Sequence, residues 1–333
     1  MNYQYFPAGN TGMGFFNLFD GIAPMGARKT IILKGGPGVG KNTLMRKYAE
    51  NAENKGKRVE LFRCSGDPDS LDAVRVLGDD TVIVDGTAPH IIDPVFPGVT
   101  DGIVNLGVYI NKEIKSEKKI LEPMFESNKY QYTLAYAYLA TAMSLKKSNI
   151  STALDMYDRK KMRRTVRDIA PMGAVEKVGS VRKLFLDAIT YKGKISFDAR
   201  VRAANEVYMV KGLGKYLFFN EAKELLSGNN LEIFYDPVCP NLIRHIYVKE
   251  LNIWFTSFDV DGADTVRTEN FQKYREPDYV EFNKAQTEIL VQKAVSHLKL
   301  CKKAHDDIEE VYKKYMDFEG VDREYEKLVN EEE

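Results

Sequence analysis

The chain has 333 residues, enough for about two domains of ordinary size, and its 44% hydrophobic and 29% charged residues allow a sizeable core behind a charged surface. Lys+Arg and Asp+Glu both number 48, so net charge recommends neither nucleic acid nor an acidic membrane surface as a partner. The three cysteines, Cys64, Cys239 and Cys301, lie far apart and form no metal-ligand pair or disulfide framework, which suits a reducing compartment. MNYQYFPAGN has no basic stretch followed by an apolar run, and no window approaches the roughly 18 apolar residues of a membrane span. The expectation is a cytoplasmic protein with no membrane partner.

In chain order, PAGNTGMG, with Gly9, Gly12 and Gly14, reads as a hairpin turn. KTIILKGG gives a strand at 30–33 that runs into glycines, and TLMRKYAENAEN places Leu44, Tyr48 and Ala52 at helical spacing. RVELFRC and TVIVDG supply strands at 59–63 and 81–84, the second with the continuous apolar run of a strand buried on both faces. Strands alternating with a helix predict parallel sheets with crossover helices. Between them CSGDPDSLDAV offers Asp67, Asp69 and Asp72, either as turn chemistry capping a short helix or as acids positioning a water or acceptor hydroxyl. His90, in DGTAPH, reads as a loop histidine held by local hydrogen bonds. Beyond about residue 110, NKEIKSEKKILEPMF and YTLAYAYLATAMSLKKSNISTALDMY predict two long helices paired antiparallel as an arm. DRKKMRRTVRD reads as a solvated basic helix end, and DIAPMGAV, with Pro171 and Gly173, as a connection.

The pattern then recurs. VRKLFLDAITYKGKISFDA echoes YQYFPAGNTGMGFFNLFDG, EVYMVKGLGKYLF echoes KTIILKGGPGVGKNTLM, and LEIFYDPVCP answers VELFRCSGDP. LNIWFTSF takes the place of TVIVDGTA, and HLKLCKKAHDDIEEVYKKYMDFE that of YLATAMSLKKSNISTALDMYDRK. The expected organisation is a first domain over 1–170 with a helical arm at about 108–168, and a second over 171–333 with an arm at about 276–333.

The first glycine loop carries the chemistry. Gly35, Gly36, Gly38 and Gly40 give the backbone the freedom to point successive N–H groups at phosphates, Pro37 stiffens the turn, and Val39 completes it. Lys41 fits a G-x-x-x-x-G-K pattern as the cation for the β- and γ-phosphates, but Asn42 stands where a Ser or Thr would hold Mg²⁺, and Thr43 comes one place late. An amide carbonyl is a hard oxygen, so Asn42 and Asp85 are the tentative metal ligands, with Lys41 and Asp85 (then Asp67 and Asp69) as catalytic candidates. No Glu follows Asp85, which argues against a vigorous motor. In the second half KGLGK leaves two residues between Gly212 and Lys215, Tyr216 takes the metal position, and Thr256 or Ser257 replaces Asp85, so that core reads as degenerate. DVDGAD, at 259–264, reads as a surface turn rather than a calcium loop.

FPAGNTGMGF, ILKGGPGVGK, CSGDPDSLDAV and IVDGTAPHIIDP together resemble a group of tandem P-loop ATPase-like proteins of Firmicutes, across most of the chain. The resemblance implies two P-loop NTPase-like α/β cores and ATP binding, and it supplies no substrate. Members usually carry Ser or Thr after the first GK and a recognisable second loop; Asn42 and residues 212–216 depart from both. The expected function is a slow Mg²⁺-dependent ATPase acting at the first loop, with ATP and Mg²⁺ as ligands. Two alternatives stay open: a small-molecule or nucleotide kinase, and a non-catalytic nucleotide-sensing scaffold. The arms suggest self-association or a protein partner.

Overall fold

The computed structural model describes residues 2–23, 26–170 and 178–330, so the connection at Pro171 and Gly173 lies outside the described residues. The first half runs β1 (Tyr3–Tyr5), a hairpin of β2 (Ala8–Thr11) and β3 (Gly14–Asn17), β4 (Lys29–Lys34), α1 (Lys41–Asn54), β5 (Val59–Arg63), β6 (Leu71–Val76), β7 (Thr81–Asp85) and β8 (Asp101–Asn105), then α2 (Lys118–Met156) and α3 (Arg159–Ile169). The second half repeats this plan: β9 (Val181–Leu184), a hairpin of β10 (Asp187–Thr190) and β11 (Gly193–Ser196), a one-turn α4 (Ala199–Arg202), β12 (Glu206–Lys211), α5 (Lys215–Leu225), β13 (Leu231–Tyr235), β14 (Ile243–Val248), β15 (Ile253–Thr256), β16 (Asp264–Arg267), α6 (Tyr279–Lys313) and α7 (Phe318–Asn330).

Each half builds a six-stranded sheet, ordered β1-β5-β6-β7-β4-β8 and β9-β13-β14-β15-β12-β16, so the two match strand for strand. The sheets are mixed rather than parallel: β6 runs antiparallel to β5 and β7, and β14 to β13 and β15. The expectation of all-parallel sheets fails at LDAVRV, which is a buried strand and not part of a short helix. Only residues 64–70 separate β5 from β6, and a parallel return needs a crossover of a dozen or more residues.

The sheets face one another across a shared core in which Tyr5, Phe62 and Val84 of the first meet Leu184, Phe234 and Trp254 of the second. Arg182 crosses this seam, donating to both carboxylate oxygens of Glu60 (2.9 and 2.7 Å) and to the Gly21 carbonyl. Helices α1 and α5 cover the outer faces.

The arms differ from the sequence reading. The two segments expected to pair with each other run on as one: after a 3-10 stretch at Lys112–Glu117, the rest forms the continuous helix α2, with Pro123 near its start. Its antiparallel partner is α6: Asn149 faces Asn283, Gln131 faces His297, and Glu117 faces Tyr315. Ala135, Leu139 and Ala142 thereby bury themselves against Ala294, Val295 and Leu298 within the chain. Because α2 and α6 pass each other, the halves exchange their last helices. Met162 and Val166 of α3 enter the core beside α5, and Val321 and Leu328 of α7 enter the core beside α1. Each short helix starts on a capping aspartate, Asp158 accepting from the Lys161 N–H and Asp317 from the Gly320 N–H. In the basic stretch of α3, Arg159 and Arg163 reach Glu221 on α5. No helix among the described residues is long and apolar enough to cross a membrane.

Candidate functional site

β4 lies parallel to β7 with Leu33 opposite Asp85, which brings the end of the TVIVD strand beside the exit of the chain into the glycine loop. The loop turns through Gly35, Gly38 and Gly40 at φ 145°, 74° and 93°, a backbone region that residues with a Cβ avoid. Gly40 is the left-handed N-cap of α1, so the first free N–H groups of a 14-residue helix open into the loop. Val39 is buried in the core under α1 and anchors the loop from below. Lys41 curls back over it: Nζ donates to the carbonyls of Gly35 (2.5 Å) and Gly36 (2.9 Å) and stands 3.6 Å from Asp85 Oδ2.

Asn42 and Thr43 face elsewhere. The Asn42 Oδ1 accepts the Leu71 N–H at 3.1 Å and Arg46 Nε at 3.3 Å, which ties α1 to the start of β6. Thr43 is exposed on α1 and lies beside Phe318 and Val321 of α7. Mg²⁺ takes one or two carboxylates together with substrate phosphates. Asp85 supplies such a carboxylate next to Lys41, whereas the Asn42 oxygen is engaged by Leu71. Of the two expected metal ligands, Asp85 alone stands beside Lys41; the Asn42 oxygen is taken up by Leu71 and Arg46.

The loop after β7 is braced around the site. Lys34 Nζ donates to the carbonyls of Gly86 (2.9 Å) and Ile92 (2.6 Å) and pairs with Asp93, clamping both ends of 86–92. Asp85 Oδ1 accepts the Thr87 N–H at 2.9 Å and also the Thr87 hydroxyl. The His90 ring stacks on Phe19 with centroids 4.7 Å apart, and its Nε2 is 3.9 Å from Asp85 Oδ1. The expectation of a histidine held by local hydrogen bonds is corrected here: its side chain is 8% exposed and neither ring nitrogen has a hydrogen-bond partner. Burial pulls its basicity below the ordinary histidine value. On β6, Asp72 is buried, and burial followed by the nearby Asp85 carboxylate pushes its carboxyl up to about 7.

Asp67 and Asp69 serve a different set of contacts. Asp67 accepts from the Asp69 N–H and the Ser70 hydroxyl and lies 3.6 Å from Lys302 of α6. Asp69 is exposed and pairs with Lys192 of the β10–β11 hairpin, which holds its carboxyl below the usual range. The second half also reaches the glycine loop. A Cβ on Gly36 would meet the Tyr312 ring at 3.5 Å, one on Gly38 the Glu309 carbonyl at 3.0 Å, and one on Gly40 Val321 at 3.4 Å. The end of α6 and the start of α7 thus lie directly against the loop.

The corresponding region of the second core is filled from within. Lys211, the counterpart of Lys34, reaches the adjacent carbonyls of Ser257 and Phe258, both at 3.4 Å, and pairs with Asp259, so it does not tie two ends of a loop together as Lys34 does. Gly214 lies so close under Tyr157 that a Cβ would stand 2.6 Å from the ring. Asp236 accepts from the N–H groups of Val238 and Cys239, from the Tyr216 hydroxyl at 3.0 Å and from Lys146 of α2. Arg244 pairs with Asp187 at 2.8 Å, and burial, with Arg244 and Lys146 adding to it, pulls Lys215 down to about 7. Comparison with protein-family models, curated proteins and solved structures found no match.

Proposed function

We propose that the chain binds a nucleoside triphosphate, ATP in the first instance, at residues 35–43 and hydrolyses it slowly with Mg²⁺ held against Asp85. The observation that carries this reading is the joint geometry of the loop: three left-handed glycines, an uncapped helix start, and Lys41 folded onto the loop carbonyls beside Asp85. Successive N–H groups and the helix N-terminus favour a polyanion there. Lys41 would exchange two carbonyl contacts for charge-assisted bonds to phosphate, which are roughly twice as strong. Bound Mg²⁺ supplies charge neutralisation for the transferring phosphoryl group. In the second core Lys146 and Arg244 pair with Asp236 and Asp187, so the acids there are already neutralised from within the chain. That core serves the first as a partner that covers the loop with α6 and α7.

A second reading, a nucleotide sensor without turnover, draws on the Asn42 oxygen held by Leu71 and on the arm lying against the loop. One experiment separates the two: ATP affinity with and without Mg²⁺, and phosphate release, for wild type, Lys41→Ala and Asn42→Ser. The expectation is that Lys41→Ala weakens ATP binding by about tenfold or more, the loss of a charge-assisted contact of about 1.5–3 kcal/mol. Unchanged affinity in that variant sinks the binding reading. Phosphate release only after Asn42→Ser selects the sensor.

A further inference from the structure

Strands β4, β5 and β7 run the same way, and beyond their carboxyl ends the glycine loop shares its sheet edge with a pair of arginines. Arg46, on α1, donates to the Asp69 carbonyl and stands 3.3 Å from the Asn42 Oδ1. Arg63, the last residue of β5, donates to the same carbonyl at 3.4 Å and to Gln4 at 2.8 Å. The two guanidinium groups thus meet on one uncharged oxygen, and among the described residues neither has an ion-pair partner. The acids at this place are engaged elsewhere: Asp69 turns its carboxylate to Lys192 of the β10–β11 hairpin, and Asp67 has Lys302 of α6. Burial and then the Arg46 charge lower the Arg63 pKa, and Asp69 offsets them only in part. Each guanidinium carries five N–H donors and uses two of them here. Arg46 is exposed and Arg63 half-buried, so the pair is reachable from solvent. The second core, built on the same plan, has Asn220 five residues after Lys215 and Tyr235 at the end of β13. The fold itself therefore does not call for two arginines.

We infer that Arg46 and Arg63 together hold a phosphate dianion, free or as the ester group of a small molecule, beside the proposed triphosphate. Two neighbouring cations without a counter-ion repel each other, and a phosphate monoester brings about −1.5 to −2 charges at pH 7, enough to neutralise both. A carboxylate would neutralise only one. The guanidinium fork also matches phosphate oxygens in pairs, so the donors left over on each arginine suit the same group. Asn42 fixes where this ligand lies. Its Oδ1 is bonded by the Leu71 N–H and by Arg46, which ties the pair to the residue that follows Lys41. Lys192 and Lys302 keep the carboxylates of Asp69 and Asp67 from opposing the anion, and both come from the second half of the chain. The place beside a triphosphate rests on the proposed function; the arginine pair stands without it.

The test is a phosphorus NMR titration of the full chain with inorganic phosphate and, separately, methyl phosphate. The proteins are wild type, Lys41→Ala, Arg46→Gln, and Arg46→Gln combined with Arg63→Gln, with thermal melting to confirm that each is folded. Wild type and Lys41→Ala should both retain phosphate binding at the arginines, and the double variant should lose about tenfold or more in affinity. Arg46→Gln alone, at an exposed position where folding is not at stake, should lose about threefold or more. Methyl phosphate bound as tightly as phosphate assigns an ester as the ligand, and phosphate bound alone assigns the free ion. Unchanged affinity in the double variant overturns the inference, as does a wild type that binds neither probe. So does binding lost in Lys41→Ala but kept in the double variant, which places the anion in the glycine loop. Failure of the triphosphate site reads separately, as ATP affinity equal in wild type and Lys41→Ala.

Discussion

Asp72 and His90 illustrate how far burial departs from sequence identity. Both are polar side chains beside Asp85, and both are driven toward the neutral form by desolvation, one upward and one downward. For Asp72 the sign of the stability effect is definite. A carboxyl raised from 3.8 to about 7 binds its proton more tightly folded than unfolded, so stability falls as pH rises between those values and the full penalty stands above about 7. Asp72→Asn should therefore stabilise the nucleotide-free protein at pH 8 by on the order of 2–4 kcal/mol. The gain should shrink at pH 5, where the folded state retains the proton. Urea unfolding at the two pH values checks this, and a gain independent of pH would show that the side chain's charge is not the cause.

Among the elements, the contacts between arm and loop decide the difference between the two halves. The glycines of both loops sit beneath an arm tyrosine, Tyr312 over Gly36 and Tyr157 over Gly214, but at very different clearances. The 3.5 Å approach at Gly36 is ordinary van der Waals contact, while 2.6 Å at Gly214 leaves no space for a side chain. Gly214→Ala should destabilise the protein by about 1–3 kcal/mol through overpacking. Gly36→Ala should leave the melting temperature close to wild type. Thermal melting of the two variants side by side is the measurement; equal effects would mean that the second loop is no more tightly closed than the first.

Across the whole molecule, the exchange of terminal helices makes each outer core a product of both halves. Val321 and Leu328 belong to the last helix in sequence yet pack beside Leu44 and Tyr48 of the first half. Leu328→Ala should cost about 2–4 kcal/mol, the usual price of a large-to-small core change. Its local signature should be faster amide exchange in α1 rather than in α5, although residue 328 follows α5 in the chain. Hydrogen exchange read by peptide mass settles the matter, and a response confined to α5 would contradict the exchanged arrangement. The same crossing places Glu309 and Tyr312 of α6 against the first glycine loop, so the arms join the site to the opposite core.

The sequence alone determined the local and the repeated. Glycines followed by lysine between an apolar strand and a periodic helix specify the strand–loop–helix unit, because backbone freedom and helical period are properties of neighbouring residues. The matching order of segments in the two halves was legible for the same reason. LDAVRV carried a strand signal of its own in the alternating, β-branched Val74 and Val76, and it was hidden only by the turn-forming DPDS before it. What the tertiary structure decided was every choice among equally suitable partners. An apolar helix face does not record which core it will cover, so neither the pairing of α2 with α6 nor the exchange of α3 and α7 could be read from spacing. Whether a histidine finds a hydrogen-bond partner depends equally on groups distant in the chain: Phe19 fixes the His90 ring, Lys34 closes its loop, and Asp85 stops 3.9 Å short of it.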